Sequence, residues 1–325
     1  MRAVRYDEFG PADVLHVVEL PQPQVTPGEV LVRVRAAGVS AGEAPIRAGK
    51  LRRVMRHRPP AGVGNDFTGH VEAVGDGVRR LRVGDAVWGL MPHLTFGSTA
   101  DYVVVPERLL APAPHNISLV DAAALPSVGT TALTALTDKV HLQQGQRLLV
   151  RGASGGVGSI AVQLGRALGA HVTALASARN IDVVQALGAH RALDYRVVSP
   201  ADLDTFDVIL DAVGTDLAAY RRLLSPRGRM IALAIDPHHL VKTFAFVARG
   251  SLGAARKVSA FSNNPSTERI TELTRYVESG AIRPVIDTVF PMDAIVEAHR
   301  RIEAGGVRGK YVIDMQSAAQ HPLDE

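Results

Sequence analysis

The amino-acid sequence predicts an α/β protein in which a doubly wound parallel sheet is joined to a β-rich domain. Three observations predict it. From residue 146 onward, short apolar runs alternate with stretches of helical spacing, the pattern of a parallel sheet covered by helices. Within it, LLVRGASGGVGSIAVQLGRALGA at 148–170 reads as strand, glycine-rich turn, helix. Ahead of it, the first 120 residues hold short apolar runs divided by Pro and Gly, the rhythm of short strands.

Taken in order, strands are expected at 29–36, 70–74, 85–88 and 100–105. In the first of these, Leu31, Val32 and Val34 are set against Arg33 and Arg35, as in a half-buried strand. Asp76-Gly77 and Val83-Gly84-Asp85 mark turns. Spacing becomes helical over 120–140, with a break at Pro126. Then follow a strand (146–151), a helix (156–168), a strand (171–176), a helix (181–187), a strand (206–210), a helix (216–224) and a strand (228–235). Gly169 and Gly188 stand where helix C-caps belong. A strand at 257–262, a helix at 267–279 and short strands at 285–290 and 310–314 complete the chain, with a frayed tail expected after Met315.

Composition narrows the function classes. The 325 residues are 46% hydrophobic and 21% charged, ordinary for a globular chain long enough for two cores. With no cysteine, a disulfide framework, a cysteine nucleophile, an iron–sulfur cluster and a thiolate zinc site are all excluded. The N-terminus has no apolar signal region and no run approaches the roughly 20 apolar residues of a membrane span, so a cytoplasmic protein without membrane contact is expected. The formal charge of +4 sets 36 basic against 32 acidic residues. One basic cluster stands out: Arg47, Lys50, Arg52, Arg53, Arg56 and Arg58. It reads either as a solvated loop or short helix face, or as an attractor for an anionic substrate or cofactor phosphates. No aromatics interleave with it, so no nucleic-acid partner is expected.

The glycine turn carries the chemistry. Aligned to G-x-G-x-x-G, its positions are Ala153, Gly155 and Gly158, with Gly152 and Gly156 alongside. Gly155 would let backbone amides reach a pyrophosphate, and Gly158 would let helix and strand pack closely. The positive end of the following helix would face the phosphates. About 20 residues on, where an NAD-binding chain carries an acid, this one reads ALASARN at 174–180, with no acid before Asp182. Ser177 offers a hydrogen bond and Arg179 a cationic fork to a 2′-phosphate, which favours NADPH; the alternative is an arginine that merely caps the next helix.

On these segments the chain resembles the zinc-free quinone oxidoreductase branch of the medium-chain dehydrogenase/reductase superfamily. The likeness runs through MRAV at 1–4, GPADVL at 10–15, PGEVLVRVRAA at 27–37, residues 64–75, LRVGDAVW at 81–88 and residues 144–169. It continues through SARN at 177–180, Asp194-Tyr195, FDVILDAVG at 206–214, residues 226–230 and RGKYVI at 308–313. The resemblance implies a GroES-like catalytic domain (1–122 and 267–325) around a Rossmann domain (123–266), in a homodimer. It implies that Ser154, Gly155, Gly156 and Val157 line the pyrophosphate, and that Ser177, Arg179 and Tyr195 surround the 2′-phosphate. Thr130 would sit beside the nicotinamide, with Val213, Gly214, Leu233, Ala234 and Ile235 along it, and Lys310 would reach the cofactor.

Compared with the zinc alcohol dehydrogenases, Ser40 stands at the first cysteine ligand, Gly64-Asn65-Asp66 at the Gly-His-Glu motif and Pro126 near the third ligand. No metal is therefore expected. His93, His115 and His238-His239 read as surface residues, and Asp66 as a buried partner rather than an acid. Without a Lewis acid, a saturated ketone is a demanding acceptor, whereas a quinone or enone spreads the incoming charge into a phenolate or enolate. The expected reaction is hydride transfer from NADPH to a small-molecule quinone or activated C=C bond. Ser40 and Thr130 are the hydroxyls available to orient the reacting groups. Alternatives are an enoyl-thioester reductase, a metal-free carbonyl reductase or alcohol dehydrogenase, and a non-enzymatic RNA- or dinucleotide-binding protein.

Overall fold

The computed structural model describes residues 1–52, 57–234, 240–252 and 255–317, and of 240–244 and 252 the backbone only. Arg53, Arg56, Ile235, His238-His239 and the tail from 318 lie outside the described residues. The chain forms two compact units, residues 1–127, 264–278 and 284–325 in one, residues 128–263 and 279–283 in the other. No helix among the described residues is long and apolar enough to cross a membrane.

The first unit opens with β1 (Arg2–Tyr6), β2 (His16–Glu19) and β3 (Glu29–Val39), then a short helix α1 (Glu43–Arg47). After it come β4 (Ala61–Gly62), β5 (Asp66–Val74), β6 (Ala86–Leu90), β7 (Tyr102–Pro106), β8 (Leu110–Pro112) and the helical turn α2 (Leu119–Ala122). The eleven-residue β3 is the centre of a seven-stranded sheet ordered β15 (Ile286–Pro291), β16 (Lys310–Asp314), β3, β5, β6, β8, with β7 also on β3. Its β-branched residues favour an extended, packed backbone. Val30, Val32, Val34 and also Leu31 are buried, while Arg33 stays exposed and pairs across the strands with Glu72. The two sheet-end strands of that list come from the far end of the chain, after α8 (Thr267–Glu278): β15 (Ile286–Pro291), α9 (Ile295–Ala304) and β16 (Lys310–Asp314). Antiparallel pairing of β16 with β3 sets Tyr311 against Val39 and Asp314 against Ala36, and Arg35 closes an ion pair with Asp314.

Between these segments lies the second unit. The helix α3 (Pro126–Leu133) leads into a π-helical turn at Thr134–Lys139. Then β9 (Arg147–Arg151), α4 (Gly156–Ala167), β10 (His171–Ala176), α5 (Ile181–Ala186), β11 (Arg191–Asp194), β12 (Phe206–Asp211), α6 (Leu217–Arg221), β13 (Leu224–Ala232), α7 (Leu240–Leu252) and β14 (Lys257–Ser259) alternate. All six strands are parallel, in the order β11-β10-β9-β12-β13-β14. Numbered within the unit, this is 3-2-1-4-5-6, the doubly wound order of dinucleotide-binding sheets, whose direction reverses between the first and fourth strands. Leu148, Leu149, Val150, Ile209 and Leu210 are fully buried at its centre. Gly169 and Gly188 end α4 and α5 at φ +77° and +106° and donate back to Arg166 and Gln185, as C-caps do.

The basic cluster needs one correction. Arg47 is not on a solvated face: it is 1% exposed, where its guanidinium reaches the Gly10 carbonyl (3.2 Å), His299 Nδ1 (3.0 Å) and Glu303 Oε1 (2.5 Å). A flexible ammonium does not reproduce that three-way fork. Replacing it leaves the buried His299 Nδ1 and the Gly10 carbonyl without their donor, while Glu303 is exposed to water. Arg47→Ala is therefore expected to lower unfolding free energy by about 1–3 kcal/mol, the scale of buried polar groups left without a partner, read as a shift of the urea midpoint at unchanged slope.

Candidate active site

In the second unit the chain leaves β9 at Arg151 and turns through Gly152-Ala153-Ser154-Gly155 into α4. Gly152 sits at φ +74°, a conformation that side chains resist. A Cβ on Gly158 would overlap the Gly152 carbonyl, so the helix start packs directly on the loop. Gly155 is the N-cap, and no side chain caps the helix there. The first-turn N–H groups therefore remain open to a ligand's oxygens. Ser154, Gly155, Gly156 and Val157 are all partly exposed around this turn.

Neighbouring strand ends extend the cradle. The Ala153 N–H donates to the Leu175 carbonyl at 3.0 Å. Asn180, 5% exposed, donates from Nδ2 to Ser154 Oγ (3.1 Å) and to Ser177 Oγ (3.3 Å), tying the glycine turn to the end of β10. Tyr195 N–H donates to the Ala176 carbonyl at 3.1 Å, which brings Tyr195, Ser177 and Arg179 to one edge; Arg179 and Tyr195 are exposed there. At the end of β12, Asp211 accepts from the N–H groups of Val213 (3.0 Å) and Gly214 (2.6 Å) and pairs with Arg151. Arg151 in turn lies 3.5 Å over the Tyr220 ring. Leu233 N–H donates to the Asp211 carbonyl at 2.8 Å, and Ala234 follows, partly buried. Thr130 is fully buried on α3 and accepts from Asn263 Nδ2 at 2.8 Å. An open helix start, a hydroxyl-lined edge and a cation suit the phosphates of a dinucleotide. Asn180 and Asp211 were missed by sequence reasoning, although both lie inside the runs that carry the resemblance.

In the first unit, strand register gathers a second group of residues. Tyr311 faces Val39, so Lys310 falls beside Ser40, and Gly38 faces Asp66. A Cβ on Gly38 would lie 2.7 Å from the Ala123 carbonyl and 3.0 Å from Asp66 Cβ, so glycine is what allows this approach. Lys310 Nζ donates to Ser40 Oγ at 2.6 Å and to Asp66 Oδ2 at 3.0 Å. The Asp66 carboxylate also accepts from the Ser127 N–H, and from Ser127 Oγ at 2.8 Å. The Lys310 and Asp66 side chains are 5% and 0% exposed, whereas Ser40 is partly exposed. Because Ser40 accepts from the ammonium, its own hydroxyl proton is free to be donated outward.

Beside this cluster is Glu43, which the sequence did not single out. Its carboxylate accepts from the Ser40 N–H (3.0 Å) and the Gly64 N–H (2.8 Å). Burial pushes its pKa up to about 7, against the opposing pull of those N–H groups and of Lys310. Close by, Tyr6 Oη and His57 Nε2 share a 2.6 Å hydrogen bond. Burial raises the Tyr6 hydroxyl to about 12 and lowers the His57 imidazole from its usual value.

The positions aligned with zinc ligands do not fit that metal. Zinc takes lone pairs from several N or S donors, while here a hydroxyl (Ser40), an amide (Asn65) and a proline (Pro126) stand in their place. The Lys310 ammonium, which has no lone pair, bridges Ser40 and Asp66 directly. Among the described residues, no group of three or more His, Asp and Glu could hold a metal ion. His93 and His115 lie exposed.

Comparison with known proteins fits both halves. Residues 26–115 match the alcohol dehydrogenase GroES-like domain family, and residues 187–313 the family described as zinc-binding dehydrogenase. The chloroplast envelope quinone oxidoreductase homolog of Arabidopsis thaliana is 30% identical over 97% of this chain and 98% of its own. The NADPH-dependent alkenal/one oxidoreductase of the same plant's chloroplast is 32% identical over 96% of this chain and 79% of its own. Among solved structures, the quinone oxidoreductase from Coxiella burnetii superposes with a TM-score of 0.86 at 28% identity, covering 97% of this chain and 99% of that one. The chain belongs to the quinone-oxidoreductase-like branch of the medium-chain dehydrogenase/reductase superfamily. It is an NAD(P)-dependent oxidoreductase with a small-molecule substrate.

Proposed function

We propose that the protein uses NADPH to reduce quinones or the activated C=C bond of α,β-unsaturated carbonyl compounds, without zinc. The observation that carries the reading is the Ser40–Lys310–Asp66 cluster: a buried cation, held by a carboxylate, hydrogen-bonded to a partly exposed hydroxyl. Bound in the second unit's cradle, the dinucleotide would supply a hydride to the acceptor. The acceptor's oxygen then gains negative charge, as enolate or phenolate. The Ser40 hydroxyl, polarised by the Lys310 ammonium, stabilises that charge by donating a hydrogen bond. Asp66 keeps the ammonium aimed at Ser40 through its Ser127 bonds. The names of the two plant relatives, one a quinone oxidoreductase homolog and the other an alkenal/one oxidoreductase, support the same acceptors.

The test is cofactor oxidation by chelator-treated protein with a quinone, a 2-enone, an enoyl thioester and a saturated ketone. Turnover of the conjugated acceptors and not of the saturated ketone is expected. Turnover of the saturated ketone alone, or only after zinc is added, would overturn the reading.

The preference for NADPH rests on Ser177 and exposed Arg179, with no carboxylate between Ala174 and Asn180. Arg179→Ala is expected to raise KM for NADPH roughly tenfold or more, by loss of a charge-assisted pair to phosphate. KM for NADH should change little. Equal changes for both cofactors would remove Arg179 from 2′-phosphate recognition.

A further inference from the structure

We propose that Glu43 is the positioning residue of this site: its carboxylate clamps the backbones of Ser40 and Gly64 together and so holds the Ser40 hydroxyl on the Lys310 ammonium. The proposal rests on the reading of Ser40 as the group that meets the acceptor's oxygen.

The geometry is a closed circuit. Ser40 N–H donates to Glu43 Oε1 at 3.0 Å, and Glu43 N–H donates back to the Ser40 carbonyl at 3.0 Å. The second carboxylate oxygen takes the Gly64 N–H at 2.8 Å. Gly64 is itself fixed: it stands at φ +89°, and a Cβ there would come within 2.5 Å of Ser98 Oγ and 2.6 Å of Thr99 Oγ1. Ser98 Oγ in turn donates to the Asp66 carbonyl at 2.8 Å. Glu43 thus connects the strand-end residue that carries the hydroxyl to the stretch that carries Asp66. Neutral or shorter side chains cannot satisfy both N–H groups equally well, because a charged acceptor makes the stronger bonds.

Charged and titratable groups face Glu43 from every side. Lys310 approaches from β16 and Asp66 from β5, Tyr6 comes from β1, His57 lies in the stretch before β4, and Arg47 is one turn along α1. Tyr6, Glu43, Arg47 and His57 line one cavity of about 10 Å³, close to the roughly 10–15 Å³ a single water requires. Burial opposes ionisation of Glu43 while Lys310 and the two N–H donors favour it, which brings its titration to about pH 7. Ionised, Glu43 grips both N–H groups as a full anion; protonated, it grips them weakly. Turnover should therefore rise with pH through 7.

The experiment compares wild type, Glu43→Gln, Ser40→Ala and the double variant, using whichever acceptor the protein turns over best. Glu43→Gln should lower kcat roughly tenfold or more, leave the NADPH dissociation constant within about twofold, and abolish the rise of kcat through pH 7. On the Ser40→Ala background it should cost almost nothing further, since both changes act on one hydroxyl. Should Glu43→Gln not fold, Glu43→Asp serves: it should lower kcat and keep a pH transition, and its loss should also vanish on Ser40→Ala. A damaging Ser40→Ala whose loss multiplies with that of Glu43→Gln overturns this proposal alone. A silent Ser40→Ala overturns the proposed role of the Ser40 hydroxyl as hydrogen-bond donor to the acceptor as well. Full turnover in both Glu43 variants also overturns the positioning role.

Discussion

Lys310→Met is expected to lower kcat by roughly 10²–10³-fold, the scale of losing one preorganised donor to a developing oxyanion. The ammonium is the only group hydrogen-bonded to Ser40 Oγ among the described residues, and it lies 2.6 Å away. Removing it leaves a serine with ordinary acidity. The same change leaves Asp66 fully buried with no counter-ion, which should lower stability by about 3–5 kcal/mol. The two effects separate in the double variant Lys310→Met/Asp66→Asn. There no unpaired charge remains, and the Ser127 donors keep an oxygen acceptor, so most of the stability should return. Turnover should not. Urea denaturation and steady-state kinetics on the same preparations read both quantities. A Lys310→Met protein with wild-type kcat would show that the ammonium serves the fold only.

Stability against pH should show two opposed contributions from buried groups, each unmasked by removing the other. His299 is fully buried on α9, with Nδ1 against the Arg47 guanidinium and Nε2 without a hydrogen-bond partner. Burial first, and the Arg47 charge second, lower its pKa from 6.5 to about 3. The unfolded chain binds this proton more readily, so the contribution is complete above pH 6.5 and is lost as pH falls towards 3. Its size is about 5 kcal/mol. Glu43 has the opposite sign. Its pKa is raised from 4.5 to about 7, so the folded state binds the proton more readily. Its contribution is complete below pH 4.5 and is lost as pH rises through 7, by about 3 kcal/mol. Between pH 4.5 and 6.5 the two slopes offset one another. Below 4.5 only the histidine remains, joined by Asp314, whose carboxyl is held below its usual range by hydrogen bonds from Arg35, Gln316 and Ser317 despite its burial. His299→Gln should therefore gain stability relative to wild type as pH falls from 6.5, and Glu43→Gln should lose it from 7 to 4.5. Parallel curves for all three proteins would contradict both assignments.

The second unit was largely legible in the sequence. The strand expected at 171–176 is β10 of that unit, and in the first unit the strand expected at 310–314 is β16, each residue for residue. Both are short apolar runs with clear polar or glycine borders. Where tertiary pairing decided the outcome, sequence reasoning fell short. The helix expected over 216–224 stops at Arg221 because Leu224 already pairs with Phe206 at the start of β13. The helical spacing over 120–140 does break before Pro126, between α2 and α3, but the π-helical turn that ends it was not read. The glycine turn was readable because its chemistry lies in consecutive residues. The Lys310–Asp66–Ser40 cluster was not readable as a cluster, because it joins three strand ends up to 270 residues apart in the chain. The charge of Arg47 misled for the same reason: a run of basic residues suggests solvent, and its partners, buried His299 and exposed Glu303, lie more than 250 residues away. Glu43 had no motif at all. Only its burial beside Ser40 and Gly64 gives it a role.

The central claim is metal-free hydride addition to the conjugated position of an acceptor whose oxygen is stabilised by Ser40 and Lys310. Its most direct test is the product of a 2-enone reduced by chelator-treated protein with NADPH deuterated at C4. The account predicts a saturated ketone carrying deuterium at the β-carbon and a solvent proton at the α-carbon. An allylic alcohol with deuterium on the former carbonyl carbon would contradict it.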